Sequence, residues 1–363
     1  MAPHGSRVKL YEPWHPEIRL TSKRAFALAA MIGVVAVLLG WFLLDQGRRG
    51  EAIPGVTYKA QFINPVPMLH LVDVLASDAL EGRAAGTPGN EAARAFIRKR
   101  FEEIGLKPYL ASGLQQPVTI LPRPGLDAPG PGANLIGWVP GETPGVGPMI
   151  IVTAHYDHLG VVEGQIYNGA DDNASGTGAL VATAEYFVGH PPKHDILFVA
   201  LDAEEVGFLG AREFMRSRAA DLSRAALNIN LDMVSRSDVG ELYAAGTYHT
   251  PALAELITDA AKDAPVSLLT GHDRPEQGIN DWTLQSDHAV FHQAGIPFLY
   301  FGVEDHPGYH QPSDDFSAIT PEFYVRAADT LVMVMRAADA QLPAIFALRR
   351  APDAPAPTEG LPE

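Results

Sequence analysis

An apolar stretch of chain leads into side chains that can bind a metal ion between residues 149 and 178. Residues 149–152 predict a buried strand, which is followed by His155 and Asp157 and, further on, by Asp172. In an extended chain Asp157 lies on the same side as His155, where its carboxylate can hold the imidazole in the tautomer that binds a metal. A histidine at a strand end is more often a hydrogen-bonded surface group, and Asp172 alone could be a helix N-cap. Their combination predicts a metal site.

Three further apolar segments also run into polar side chains. They are residues 196–201 before Glu204 and Glu205, residues 226–231 before Asp232, and residues 296–301 before a loop with His306, Tyr309 and His310. Two adjacent glutamates at a helix start could simply favour the helix dipole. However, open α/β sheets place ligands at the carboxyl ends of their strands. The four strand ends therefore predict one shared site.

The composition restricts which metals and partners the chain can bind. Because the sequence contains no cysteine, disulfides and thiolate zinc sites are excluded, and any metal must be held by nitrogen and oxygen. The formal net charge of −16 argues against nucleic acid as a partner, because phosphate binding depends on Lys and Arg. A length of 363 residues with 47% hydrophobic side chains allows a large buried core.

The amino-terminal region predicts a membrane anchor. Residues 25–44 carry no charge and form an apolar run that is long enough to span a bilayer. The basic side chains of residues 1–24 predict that this segment stays in the cytoplasm and that the rest is exported. A cleaved signal peptide is the alternative, although no A-x-A-like cleavage site follows residue 44. We therefore expect a single-pass signal anchor in the cell (inner) membrane, with the following domain on the periplasmic or extracytoplasmic side.

Beyond the anchor, the pattern predicts one α/β domain between two irregular segments. Residues 45–66 predict a linker, and residues 343–363, which are rich in Pro, Ala and acidic side chains, predict a disordered tail. Between them, residues 67–342 alternate between apolar stripes at helical spacing and apolar strands. One of these helices is expected to begin with Asn90 as its N-cap and to end at Gly105.

Seven motifs along the chain resemble those of the M28 family of co-catalytic dizinc peptidases, most of which are aminopeptidases. They are LEGRAAGTPGN at 80–90, HYD at 155–157, GADDNASG at 169–176, DAEEVGFLG at 202–210, LDM at 231–233, SDH at 286–288 and YHQPSD at 309–314. Each motif alone is weak, but their order and completeness make the match strong. The resemblance implies a three-layer α/β/α sandwich with a mostly parallel mixed sheet, which here follows the transmembrane helix.

The resemblance also implies a role for each site residue and a cofactor of two zinc ions per chain. It makes Asp172 the carboxylate between both ions, His155 and Asp232 the ligands of one, Glu205 and His310 the ligands of the other, and Glu204 the general base that activates a zinc-bridging water. Asp157 and Asp314 would orient the two histidines, and Tyr309 would donate to the oxyanion. A cis peptide is expected between Asp172 and Asn173.

Sequence chemistry alone does not separate His306 from His310 as the last ligand. The family pattern favours His310, because Asp314 follows it by four residues. Residues 286–288 read Ser-Asp-His, but consecutive residues cannot easily face one another as a triad, so we expect them to shape the substrate pocket. The loop at 271–285 is expected to contribute to specificity.

The resulting functional hypothesis is a membrane-anchored zinc exopeptidase that removes amino-terminal residues from peptide substrates. One alternative is a glutaminyl cyclase-like enzyme with a single zinc, because such enzymes share this fold. The other is a non-catalytic ectodomain of the same fold, for which loss of ligands is expected. The intact SG of the motif at 169–176 and the complete ligand set favour the peptidase.

Overall fold

The computed structural model describes residues 55–123, 126, 128–217 and 220–349, in which helices and strands alternate. The helices are α1 (Pro65–Leu75), α2 (Pro88–Glu103), α3 (Gly176–Gly189), α4 (Leu209–Ser217), α5 (Leu253–Ala261), α6 (His288–Gln293) and α7 (Pro321–Phe346). The strands are β1 (Lys107–Pro108), β2 (Gln115–Val118), β3 (Gly132–Val139), β4 (Met149–His155), β5 (Gly160–Val162), β6 (Gln165–Tyr167), β7 (Asp195–Leu201), β8 (Ala225–Leu231), β9 (Glu241–Ala245), β10 (Ser267–Thr270) and β11 (Phe298–Gly302).

Nine of the described strands form one mixed sheet with a parallel centre. Its order is β1-β3-β7-β4-β8-β11-β9-β10, β2 also pairs with β3, and β5 and β6 form a separate hairpin. The neighbouring strands β7, β4, β8 and β11 run parallel, so their carboxyl ends lie side by side along a line that we call the rim. Strands β3 and β9 join this centre in the antiparallel direction. The predicted large, mostly parallel mixed sheet is confirmed.

Helices cover both faces of the sheet. On β4, Ile150 and Val152 pack into a core with α1, α3 and α7, whereas Met149 and Ile151 pack into a second core with α4 and α6. Every residue of β4, β7 and β8 is buried. Continuous burial is expected for parallel strands that are covered on both sides, and it explains why these segments are apolar throughout.

The start of α2 differs from the sequence prediction. Thr87 is the N-cap, and its hydroxyl accepts a hydrogen bond from the backbone N–H of Asn90. The interpretation of Asn90 as the N-cap is therefore wrong, because Pro88 already begins the helix, at a position where no backbone N–H is needed. Asn90 is instead buried and donates to Asp202 Oδ1 at 2.9 Å. Gly105 follows the helix with φ +78°, as predicted.

Part of the segment assigned to the linker is fixed to the domain. The buried carboxylate of Asp329 in α7 accepts hydrogen bonds from the backbone N–H groups of Gln61, Phe62 and Ile63. At the other end, α7 continues into the segment assigned to the tail, as far as Phe346.

The predicted anchor at residues 25–44 lies outside the described residues, as do residues 350–363 of the predicted tail. Across the described ranges, no helix is both long and apolar enough to cross a membrane.

Candidate active site

The rim carries the predicted site residues because each lies at or beyond the carboxyl end of a central strand. His155 is the last residue of β4, and Asp232 directly follows β8. Glu204 and Glu205 lie in the turn between β7 and α4, and His310 lies in the loop after β11. Because the four strands are parallel neighbours, residues that are distant in sequence meet at one place.

His155 and Asp232 form one ligand group, which we call the inner half-site. His155 Nε2 lies 3.3 Å from Asp232 Oδ1 and 3.4 Å from Asp172 Oδ1. In a tetrahedral zinc site with bonds of about 2.0–2.1 Å, the ligand atoms lie about 3.3–3.4 Å apart. The spacing of these three atoms therefore fits the ligands of one zinc ion.

Glu205 and His310 form the second group, which we call the outer half-site. His310 Nε2 lies 3.0 Å from Asp172 Oδ2 and 3.8 Å from Glu205 Oε2. Asp172 thus presents one carboxylate oxygen to each half-site. A single carboxylate in this position can neutralise and hold two neighbouring cations.

His306 and His310 have different surroundings, although the sequence leaves them equivalent. His306 Nε2 lies 3.1 Å from Asp171 Oδ2. The other oxygen of Asp171 accepts hydrogen bonds from the backbone N–H and hydroxyl of Ser235. His306 therefore belongs to the network around Asp171, and the geometry favours His310 as the ligand.

His158 is a site residue that the sequence reasoning missed. It is buried, and its Nδ1 lies 2.8 Å from Glu205 Oε1 and 3.7 Å from Asp172 Oδ2. Its ligand atom, one from Asp172 and one from Glu205 all lie within 4.8 Å of one another. The signal in the sequence was its place three residues after His155. His158 can hold the Glu205 carboxylate in position within the outer half-site.

Asp157 supports the rim in a different way from the sequence expectation. Its carboxylate accepts hydrogen bonds from the backbone N–H groups of Glu204, at 3.0 Å, and Glu205, at 3.3 Å. His155 Nδ1 lies 3.8 Å from Asp157 Oδ1 but 3.2 Å from the Asp157 carbonyl oxygen. Because β4 ends at His155, the two side chains do not lie on one extended strand. Asp157 therefore fixes mainly the turn that carries both glutamates.

Asp314 likewise binds backbone groups, whereas the resemblance implies a contact with His310. Its carboxylate accepts from the N–H groups of Asp171, at 3.0 and 3.2 Å, and Asp172, at 3.1 Å. Its effect on the half-sites therefore passes through the segment that carries Asp172.

The same segment is held from the other side by Arg83, whose role the sequence analysis did not predict. The peptide between Asp172 and Asn173 is cis, as the resemblance predicts. Arg83 is completely buried and donates to the carbonyl oxygens of Tyr156, at 2.8 Å, and Gly169, at 2.6 Å, and to that of Asp172 at 3.4 Å. Burial lowers the pKa of Arg83 to about 10. The only signal for Arg83 was its place in the motif at 80–90.

The electrostatics of the rim favour bound cations. Burial raises the pKa of Glu204 well above its usual value, and the charges of Glu205, Asp287 and Asp232 raise it further while His155 opposes them. Burial lowers the pKa of His155, but Asp232 and Glu204 outweigh that effect and raise it well above the usual value. So many buried carboxylates are costly unless positive charge balances them. A set of nitrogen and oxygen donors with this spacing fits zinc.

Asp287 lies close enough to influence the predicted base. It is fully buried, and neither of its carboxylate oxygens has a hydrogen-bond partner among the described residues. Burial raises its pKa to about 7, against the opposing effect of His155. The sequence predicts that residues 286–288 shape the substrate pocket, but Asp287 does not line the cavity described next.

The half-sites open into a cavity of about 280 Å³. Its lining includes Trp282, Leu284 and Gln285, so part of the loop at 271–285 contacts this space, as expected. Tyr309 also lines the cavity, with its ring stacked on His310 at 4.0 Å between centroids. Burial raises the pKa of Tyr309, and Asp172 adds to this effect, so its hydroxyl keeps the proton needed to donate a hydrogen bond.

Comparisons with known proteins found similar sequences and similar folds. The aminopeptidase YwaD of Bacillus subtilis is 30% identical over 190 residues, which cover 50% of this chain and 39% of that protein. This chain therefore spans about two fifths of the length of that relative. A zinc aminopeptidase structure from Bacillus subtilis matches 77% of this chain and 96% of its own, with 20% identity and a TM-score of 0.59. A glutaminyl cyclase structure from Bacteroides thetaiotaomicron has the same identity and TM-score, over 77% of this chain and 99% of its own. These structural matches support the fold alone.

The family match is specific to the domain that carries the rim. The model of peptidase family M28 matches residues 134–335, which include both half-sites, Glu204 and Asp172. Together with the fold and the convergence of the motifs at one site, this match shows that the chain belongs to peptidase family M28.

Proposed function

We propose that this protein is a zinc-dependent exopeptidase that removes amino-terminal residues from peptides. The observation that carries the proposal is the position of Asp172, whose two carboxylate oxygens face two separate ligand groups. A site for a single ion does not need a carboxylate shared in this way. The same activity is supported by the names of two matched proteins, since one is called an aminopeptidase and the other a zinc aminopeptidase.

The five predicted ligands would hold two zinc ions, one in each half-site with Asp172 between them. When bound, the ions would polarise the scissile carbonyl and lower the pKa of the attacking water. His155 and Asp232 would bind the inner ion through atoms already spaced for it. Glu205 and His310 would bind the outer ion, with His158 holding the Glu205 carboxylate.

Glu204 is the proposed general base. Its side chain lines the cavity and its backbone is fixed by Asp157, so its carboxylate would stand beside the five ligands without being one of them. It would accept a proton from the attacking water and return it to the amine that leaves when the peptide bond breaks. Tyr309 would donate a hydrogen bond to the oxygen that gains negative charge.

The zinc content and a substrate panel together test the proposal. We expect purified full-length protein to hold about two zinc ions per chain and to cleave aminoacyl anilides and free dipeptides, but not peptides with a blocked amine. One zinc, together with cyclisation of amino-terminal glutamine, would establish the cyclase alternative. Absence of both zinc and turnover would establish a non-catalytic domain.

We further propose that residues 25–44 anchor the protein in the inner membrane, with the peptidase domain on the exported side. The proposal is supported by the length of the uncharged run and the basic residues before it. Full-length protein should sediment with membranes and resist extraction by alkaline carbonate. In spheroplasts, external protease should digest the peptidase domain. Recovery of a soluble mature form that begins near Gln46 would contradict the anchor.

A further inference from the structure

The cavity beside the half-sites is lined by one basic side chain whose role the reaction does not explain. The acidic side chains that line this cavity are Asp172, Glu204, Glu205, Asp232 and Asp305. Apart from the two histidine ligands, the described residues contribute a single basic group to the lining, Arg212 in the first turns of α4. Four of the five carboxylates belong to the half-sites or act as the base. The proposed reaction assigns no role to the positive charge of Arg212.

The backbone fixes Arg212 relative to the proposed base. The N–H groups of Gly207 and Phe208 both donate to the Glu204 carbonyl oxygen at 2.9 Å. The Gly207 carbonyl oxygen in turn accepts from Arg212 Nε at 2.9 Å. Gly207 has φ +96°, a conformation that favours glycine. The guanidinium of Arg212 is therefore hydrogen-bonded to the turn that carries Glu204 and Glu205.

Arg212 has no ion-pair partner within the described ranges, although its helix contains a matched arginine that does. Arg216, one turn further along α4, binds Glu213 through two nitrogen atoms at 2.8 to 2.9 Å. Arg212 uses Nε for the Gly207 carbonyl, which leaves its two terminal nitrogens available to a ligand. Arg212 is exposed, so a ligand in the cavity can reach it. The planar guanidinium binds carboxylates through paired hydrogen bonds.

We propose that Arg212 binds a carboxylate of the peptide substrate, on the part of the substrate that follows the scissile bond. The inference rests on the proposed exopeptidase function and adds a substrate class to it, namely short peptides with a negative charge close to the bond that breaks. Two sources can supply that charge. One is the free carboxyl terminus of a dipeptide, and the other is an acidic side chain in the second residue.

Three substrates separate these sources when the full-length zinc-loaded enzyme is assayed. They share the amino-terminal residue that is best cleaved in the anilide panel, written X, and they are X-Ala, X-Ala-amide and X-Glu-amide. The quantity compared is the kcat/KM of each charged substrate divided by that of X-Ala-amide. The variants are Arg212→Gln, Arg212→Lys as the conservative replacement, and Arg216→Gln as the matched control.

We expect Arg212→Gln to lower at least one of the two ratios by about five- to tenfold, the size expected of one partly exposed charge-assisted contact. The loss should appear mainly in KM, because the contact is made with bound substrate before the bond breaks. Arg212→Lys should restore part of the ratio, and Arg216→Gln should leave it unchanged. A drop for X-Ala identifies the carboxyl terminus as the ligand, and a drop for X-Glu-amide identifies the side chain.

Unchanged ratios in Arg212→Gln would overturn the inference, and so would an equal drop in Arg216→Gln. Failure of the proposed function is a separate result, because the wild-type enzyme would then cleave neither the anilides nor X-Ala-amide. Turnover of X-Ala-amide by the wild-type enzyme, combined with unchanged ratios in the variant, would reject only the role of Arg212.

Discussion

The two half-sites share Asp172 but are built on different kinds of structure. The inner half-site lies at the ends of two central strands, and the side chain of His155 is 2% exposed. The outer half-site depends on a turn and a loop, and the side chain of His310 is 39% exposed on a backbone with φ +51°. Ligands on strands are held by the sheet, whereas loop ligands lose more conformational freedom on binding. We therefore expect the inner half-site to bind zinc more tightly.

The largest expected effect comes from removing the residue that both half-sites share. Asp172→Ala deletes one oxygen ligand from each half-site, so zinc should fall below one ion per chain and activity by on the order of 10⁴. Metal analysis and kcat measured with the best anilide test this expectation. If the variant keeps one ion at wild-type affinity, the half-sites do not share Asp172.

Exchange of the base affects turnover without removing metal. Glu204→Gln keeps the shape of the side chain but cannot accept a proton, so kcat should fall by on the order of 10² to 10⁴ with little change in KM. Zinc should stay near two per chain. Glu205→Gln is the matched control, because replacing a charged ligand of the outer half-site should reduce zinc content together with activity. A Glu204→Gln enzyme with near-normal turnover, or with lost zinc, would contradict the assignment.

The difference between the half-sites itself can be measured by removing zinc. Titration with a chelator should release the outer ion first, because its histidine is exposed and carried by a loop. His310→Ala should retain about one zinc, with the affinity for the second ion lowered by more than about 100-fold, since a direct ligand matters more than a supporting group. His155→Ala should lose the inner ion, which is the more tightly bound of the two. If the ion that remains in His155→Ala is bound more tightly than the ion that remains in His310→Ala, the proposed order of affinity is wrong.

The strand ends of the rim could be predicted from sequence because their signals are local. The segments at residues 149–152, 196–201 and 226–231 are apolar without interruption, since β4, β7 and β8 are buried on both sides. A polar side chain directly after such a strand must lie at its end. Parallel neighbours then bring these ends together. The family motifs added the division of the ligands into two groups.

The supporting contacts could not be predicted, because tertiary packing decides them. Asp157 lies two residues after His155, yet its carboxylate binds a turn almost fifty residues away, since the strand ends between them. Arg83 is far from the rim in sequence, and nothing local shows that it binds backbone carbonyl groups of α1, of the residue after β4 and of the segment before Asp172. Asp287 was recognised as part of a motif, but its complete burial depends on the packing of α6.

The smallest effect that we predict tests how the two half-sites are connected through Asp157. One carboxylate oxygen of Asp157 binds the backbone of the base and the other binds the backbone of Glu205 in the outer half-site. In Asp157→Asn one of these oxygens becomes an amide that cannot accept. The turn should loosen, and both kcat and the affinity for the outer zinc should fall by about tenfold, the lower end of the range for a supporting group. Asp329→Asn is the matched control, because Asp329 is also buried and its two carboxylate oxygens accept the backbone N–H groups of Gln61 and Phe62 without lining the cavity. Both variants should lower the free energy of unfolding of the zinc-free protein by about 1–3 kcal/mol, since each loses an acceptor for a buried N–H. Zinc affinity should change only in Asp157→Asn, and an equal change in both variants would show that Asp157 contributes general stability and no specific support to the half-sites.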